Sequence, residues 1–330
     1  MTSWLTAAWA RTSVTGPADP NRRTSLTRRA ALGGLTVAAL ARPALAAPPF
    51  RLVEVAPGIH VRRGVHEEAT AANADGIANI GFIVGRDAVA VIDPGGSGVD
   101  GAGLRRALRA VTPLPVRYVV LSHAHPDHTF GAGAFEQDNP LFAGHRRLAE
   151  VMVPRGEFYR NRLADILGIE DAGDYAMPTL LVGGQAELDL GGRALTLHAH
   201  GTAHTDADVS VWDAQTGTLW ASDLLFVDRV PAVDGSILGW LRELDALAER
   251  APARVVPGHG PAAVGWADGA GAQRRYLTAV VEGVRSALRR GNDIEAAVAE
   301  VAQDERGHWL LFDDYHGRNV TAAYKELEWE

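Results

Sequence analysis

The sequence predicts an α/β protein in which two β-sheets pack face to face and helices cover their outer faces. Three observations carry this. Short apolar, β-branched runs come in pairs divided by turn residues, at Gly85-Arg86-Asp87, Gly191-Gly192 and Gln215-Thr216-Gly217. Segments of helical spacing lie between and after these pairs, giving two similar halves. No repeat or linker interrupts residues 48–330, so a single domain is expected there.

The elements follow in order. Phe50 to Arg63 alternates loosely around Pro57-Gly58 and predicts two short strands. Residues 65–76 are a polar loop, placed near the mouth of a site. Ile80–Val84 and Ala88–Ile92 are apolar strands, the second ended by Asp93-Pro94-Gly95-Gly96. Leu104–Val111 has helical spacing, closed by Pro113 and Pro115. Val116–Leu121 is a buried strand. A short helix over Phe130–Phe135 and a short strand over Leu141–Ala143 come next. Residues 145–168 have helical spacing, with an interruption expected near Pro154-Arg155-Gly156. Ala186–Leu190 pairs with Ala194–Leu197, and Val209–Trp212 with Thr218–Ala221. Ile237–Arg250 is helical and Arg254–Val256 a short strand. Residues 268–303 predict two helices broken at Gly291-Asn292, and Val320–Trp329 a terminal helix.

Composition is that of an ordinary globular chain: 330 residues, 47% hydrophobic and 22% charged, enough for a large core. The first 47 residues differ. Arg28-Arg29 precedes an apolar run from Ala30 to Leu40, and Ala44-Leu45-Ala46 has the small-x-small form of a cleavage site. This matches a twin-arginine export signal with a long leader, expected to be disordered, and predicts a periplasmic bacterial protein. The apolar run is short for a membrane span, so no stable span is expected once the signal is removed. Net charge is −8 for the whole chain. Residues 1–46 hold six Arg and one Asp, so the remainder carries −13. An acidic chain without a basic stripe excludes nucleic acid as an expected partner. There is no cysteine, so neither disulfides nor thiolate chemistry enters.

The chemistry concentrates in Leu121-Ser122-His123-Ala124-His125-Pro126-Asp127-His128. His123 and His125 are two apart and point the same way from an extended backbone. Pro126 breaks that run and turns Asp127 and His128 towards a neighbouring point. Imidazoles beside a carboxylate suit zinc, and one loop can serve two adjacent ions. Asp127 is alternatively a helix N-cap. Further candidates lie at later strand ends: His204 in Gly201-Thr202-Ala203-His204, Asp223 after Leu219–Ala221, and His259 in Pro257-Gly258-His259-Gly260.

This ordered set resembles the metallo-β-lactamase superfamily of hydrolases, over roughly residues 50–262. The resemblance implies an αβ/βα four-layer sandwich of two mixed sheets with metal at one edge. It also implies a ligand set: His123, His125 and His204 for a first zinc, Asp127, His128 and His259 for a second, and Asp223 bridging them. Asp93 matches a position that orients the metal loop. Gly64-Val65-His66-Glu67, residues 78–85, and Asp223–Arg229 leading to Asp234-Gly235-Ser236 are similar to the zinc hydrolases associated with periplasmic quinoprotein alcohol oxidation and sulfur oxidation. That likeness suggests a quinoprotein-system partner. Asp223 stands where one β-lactamase subclass has a cysteine. A bridging Asp is the pattern of the superfamily's thioesterases, lactonases and phosphodiesterases. His125 in place of Glu disfavours its di-iron oxygen reductases, and the basic residue with which β-lactamases hold a carboxylate is not found.

The expected reaction is therefore attack on an ester, thioester, lactone or related acyl bond of a small molecule, by water whose pKa two zincs lower from about 15.7 to about 7. Asp127 would orient the nucleophile and carry its proton. Iron or manganese would suit the same N and O donors. Amide hydrolysis of the β-lactamase kind, a non-catalytic metal-binding accessory role, and redox chemistry at iron are the alternatives. His198 and His200 have either a supporting or a core role. His66 and Glu67 line either a mouth or a plain loop. His145 and Arg229 either touch substrate or serve as a helix terminus and an ion pair. His60, His308 and His316 are structural or surface residues, and Trp212, Trp220 and Trp240 belong to packing.

Overall fold

The computed structural model describes residues 50–330. The expected twin-arginine signal and its expected cleavage site lie outside the described residues. No helix among the described residues is long and apolar enough to cross a membrane.

Seven strands form the first sheet, in chain order: β1 Val53–Ala56, β2 Ile59–Arg62, β3 Ile80–Val84, β4 Val89–Ile92, β5 Val116–Leu121, β6 Leu141–His145 and β7 Leu180–Val182. Pairing is antiparallel from β1 to β4 and parallel from β4 to β7. The second sheet follows in sequence: β8 Gln185–Asp189, β9 Ala194–Ala199, β10 Val209–Asp213, β11 Thr218–Phe226 and β12 Arg254–His259. Its pairs are antiparallel except β11 with β12, so both sheets are mixed.

Alternation along the strands separates the layers. Ile83, Ala90, Ile92 and Val120 of the first sheet meet Leu197, Val209, Val211, Trp220 and Val256 of the second in one buried cluster. The other parity faces outward. Val89, Val91, Val119 and Leu121 pack on Leu104 and Leu108 of α1 (Gly98–Val111) and on Met152 and Leu163 of α3 (Leu148–Leu167). Leu219, Ala221 and Val255 pack on α4 (Ile237–Ala248), α5 (Trp266–Arg289) and α7 (Phe312–Leu327). The order helix, sheet, sheet, helix is the four-layer sandwich the resemblance implies. Between α5 and α7 lie α6 (Ile294–Glu300) and a 3-10 turn.

Several elements differ from the sequence reading. α1 begins at Gly98, where the Ser97 hydroxyl accepts from the Asp100 amide at 3.1 Å. Its first turns carry Gly101 and Gly103, too small to mark a periodic face. α3 runs unbroken through Pro154. Pro154 is exposed, and Gly156 is a contact rather than a breaker, since a Cβ there would lie 2.3 Å from the Tyr175 ring. In place of one helix over Phe130–Phe135 there is a turn of helix, α2 (Pro126–Thr129), and a 3-10 helix over Ala132–Asp138. α7 starts at Phe312 rather than Val320. β7 was too short to read from sequence, and β11 runs past Ala221 to Phe226.

Candidate metal centre

The loop after β5 and the ends of β11 and β12 reach the same edge of the sandwich. β5 delivers His123 and His125. Pro126, at the first position of α2, tips Asp127 and His128 into a single helical turn. Asp127 sits inside that turn, after the N-cap position held by His125, so it is not the cap.

β11 reaches the site through a distortion. Ser222 takes φ +48, and the register against β12 shifts on both sides of it. Such a bulge re-aims the next side chain, and here that is Asp223. Asp223 therefore lies within its strand rather than after it. Gly258 makes room for it: a Cβ at 258 would sit 1.8 Å from Asp223 Oδ1 and 2.7 Å from its backbone nitrogen. His259 is the last residue of β12. Asn79 pins this end by donating to the carbonyls of Pro257 (2.8 Å) and Pro261 (3.1 Å).

Two groups of donors result: His123, His125, His204 and Asp223, and beside them Asp127, His128 and His259. In the first, His125 Nδ1 is 3.1 Å from His123 Nε2 and 3.0 Å from His204 Nε2. Asp223 Oδ2 lies 3.3 Å from His204 Nε2 and 3.7 Å from His123 Nε2. In the second, Asp127 Oδ2 is 3.3 Å from His259 Nε2 and 3.6 Å from His128 Nε2. Asp223 faces this group too, with Oδ1 3.1 Å from His128 Nε2 and Oδ2 3.5 Å from His259 Nε2. All seven residues named from sequence are thus brought together. Bonds of about 2.0–2.2 Å to a tetrahedral ion separate its ligands by about 3.4 Å, the spacing seen here. His128 Nε2 and Asp223 Oδ1 are buried without a hydrogen-bond partner, so the donor set fits divalent metal.

Each histidine is held from its far side. His204 Nδ1 meets the Ala232 carbonyl (2.7 Å), and His259 Nδ1 the Ile77 carbonyl (3.0 Å). His128 Nδ1 meets Asp93 (2.9 Å), His123 Nδ1 the Ser122 hydroxyl (3.0 Å), and His125 Nε2 Asp234 (3.3 Å). Such partners fix which ring nitrogen is free for a metal. Asp93 is fully buried, at φ +54, and also accepts from the Ser122 amide and from the hydroxyls of Ser122 and Ser222. Asp93→Ala is expected to destabilise the protein by about 3–5 kcal/mol, because it leaves those donors buried and unpaired. Metal affinity should fall about 10- to 100-fold. Denaturant midpoints and metal titration check both.

Electrostatics divide the two groups. Burial pushes His123 well below the usual imidazole range and His204 down to about 4. For His128, burial works against the charge, but Asp223, Asp127 and Asp93 outweigh it and hold the pKa well above normal. Burial also opposes charge on His259, where Asp223 prevails and raises it. Asp127 and Asp223 are held below the carboxylate range, with burial overcome first by His128.

A cavity of about 500 Å³ opens above the donors, walled by α3, α7 and the loops at 68–77 and 229–234. Arg229 is buried in its wall, donating to the Glu67 carbonyl, Glu68 and Tyr315. That is the ion-pair role. Glu68, rather than His66 or Glu67, lines the cavity. Arg155 of α3 donates to Asp234 at 2.7 Å, tying that helix to His125. His198 and His200 lie apart from the donors. His198 meets Arg250 at 3.0 Å, and His200 lies 2.7 Å from both Glu243 and Ser210. His145 caps the turn into α3 through the Arg147 amide. Trp240 packs on the His204 ring at 5.2 Å. The sequence reading missed Ser122, Ser222, Asn79, Asp234 and Arg155 as supports.

A family model described as metallo-beta-lactamase superfamily matches residues 73–259. A search of curated proteins finds no match. Among solved structures, a metallo-beta-lactamase from Pontibacter korlensis is similar at 16% identity and TM-score 0.54, over 69% of this chain and 98% of that one. One from Hirschia baltica is similar at 16% identity and TM-score 0.54, over 70% and 98%. The inverting sec-alkylsulfatase Pisa1 from Pseudomonas sp. is similar at 17% identity and TM-score 0.62, over 84% of this chain. The chain spans half the length of that sulfatase. At these identities the likeness is one of fold.

Proposed function

The chain belongs to the metallo-beta-lactamase superfamily of metal-dependent hydrolases, and from that premise we propose a dinuclear zinc enzyme that cleaves an ester, thioester, lactone or related acyl bond. One observation carries the reading: the carboxylate of Asp223 stands between both donor groups, with an oxygen towards each. His123, His125 and His204 would hold one ion, and Asp127, His128 and His259 the other. Zinc held there would supply Lewis acidity and lower the pKa of a water to about 7. The protein does the rest. The far-side hydrogen bonds keep the five imidazoles in one tautomer and orientation. Asp127 turns one oxygen to His259 and keeps the second for the nucleophile's proton, which it passes to the leaving group. The walls of the cavity orient the acyl group and limit access of bulk water.

Amide hydrolysis of the β-lactamase kind ranks second, because a bridging Asp replaces the thiolate of one β-lactamase subclass. Export to the periplasm by the twin-arginine route, with metal loaded beforehand, rests on Arg28-Arg29 and the apolar run after them. Fractionation of host cells tests that placement. A partner in a periplasmic quinoprotein system rests on the sequence resemblance alone, and co-purification from the host tests it. The central test joins elemental analysis to a panel of thioesters, esters, lactones, a sulfate ester and a cephalosporin. About two zinc per chain and turnover of an acyl substrate are expected, with Asp127→Ala lowering kcat/KM by at least about a hundredfold. A loaded protein that turns over only the cephalosporin would overturn the ranking.

A further inference from the structure

The cavity above the metal donors is lined by arginines in two different states. Arg155 is bound to Asp234, and Arg229 to Glu68 and Tyr315. Arg162 of α3 and Arg318 of α7 also line the cavity, yet neither side chain makes a hydrogen bond or ion pair with any described residue. Acidic residues outnumber basic ones in this chain, 40 to 32, so a guanidinium without a carboxylate is not for want of candidates. Both side chains are exposed, whereas the donors are buried apart from the partly covered His125, which places the arginines at the mouth. Arg318 is steadied by the Tyr315 ring, 5.7 Å from its guanidinium carbon.

The α3 wall of the cavity carries apolar side chains beside its arginines. Phe158, Leu163 and Ile166 line it from α3, on the same stripe as Arg155 and Arg162. Arg162 is seven residues beyond Arg155, about 10 Å along the helix axis. Arg155 is itself tied through Asp234 to the metal end. The cavity therefore offers metal donors at its depth, apolar side chains along α3, and free cations at its mouth. α7 lies beyond residues 73–259, so Arg318 belongs to a part of the chain that the family model does not match.

We infer that the substrate is amphipathic: an acyl ester or thioester whose chain runs along α3 and ends in an anion held by Arg162 and Arg318. That the bond cleaved is an ester or thioester rests on the proposed function. The anion subsite does not, and it can be tested without turnover.

The test is calorimetric binding of octanedioate and octanoate to the zinc-loaded full-length protein. Both ligands offer one carboxylate to the deep end, and only octanedioate offers a second at the mouth. Octanedioate is expected to bind about tenfold tighter, with the gap narrowing as salt is raised. In the Arg162→Ala/Arg318→Ala double variant the gap should close while octanoate affinity holds within about twofold. Equal affinity in the unaltered protein, no binding of either ligand, or a variant that weakens both alike would overturn the inference. If the binding gap appears but no acyl substrate is turned over, the hydrolase reading falls and the anion subsite stands. Turnover of neutral acyl substrates with no gap gives the reverse.

Discussion

Asp223→Asn is expected to leave the fold intact, retain about one metal ion where the unaltered protein holds about two, and lower kcat/KM on the order of a thousandfold or more. The shape of the side chain is kept, so the bulge at Ser222 and the space left by Gly258 remain filled. The negative charge is lost at the one point that faces both donor groups. Only one ligand carboxylate, that of Asp127 in the second group, would then offset two dications in a buried site where unscreened repulsion is large. An amide oxygen is also a weaker ligand than a carboxylate, and the amide nitrogen is none at all. Partners outside the ligand set are already worth about 10- to 100-fold, so a shared ligand should exceed that. Elemental analysis, kcat/KM and the thermal midpoint on one preparation decide the matter. Two ions retained at an unchanged rate would sink the bridging assignment. A collapsed thermal midpoint would instead show that the carboxylate is needed for folding.

The site's donors were legible because ligand chemistry restricts residue type, and a loop such as His123-x-His125-x-Asp127-His128 carries its own spacing. The central strands β3, β4 and β11 were legible because both their faces are buried and their runs are apolar. What sequence could not show is what depends on distant backbone. Local sequence places Asp223 past a strand end, whereas a bulge with a left-handed serine carries it inward from within the strand. Nothing local to Ser222 marks that conformation. Ser122 and Ser222 look like ordinary polar residues until Asp93 brings their hydroxyls together. Asn79 precedes a strand of one sheet and holds the end of a strand of the other, a contact across 178 residues. Proline misled in α3, where Pro154 lies on an exposed turn and does not stop the helix. The length of α1 was hidden by glycines that carry no periodic signal.

The two donor groups should load with metal at different pH, because one of them already carries protons. A ligand imidazole must be neutral to bind, so each proton displaced makes affinity rise tenfold per pH unit. His123 and His204 are held below the normal imidazole range by burial, so at pH 7 they have no proton to give up. His128 and His259 are held above it by Asp223, with Asp127 and Asp93 adding to the effect on His128. Asp127 and Asp223 are ionised already. The sign follows. Raised histidines bind protons that metal must expel, so affinity at the second group strengthens as pH rises and levels off above their folded-state pKa. Between about pH 6 and 7 the second group should gain up to about a hundredfold in affinity, against little change from His123 and His204 in the first. A preparation loaded at about pH 6 should then hold about one ion, gain another on raising the pH, and release close to two protons as it does so. Competition with a chelator across that range, with proton release followed in weak buffer, measures both slopes. Identical slopes at the two groups would mean that Asp223 does not charge its histidine neighbours in the way the geometry requires. Charged imidazoles facing two carboxylates would then not be the resting state of the metal-free protein.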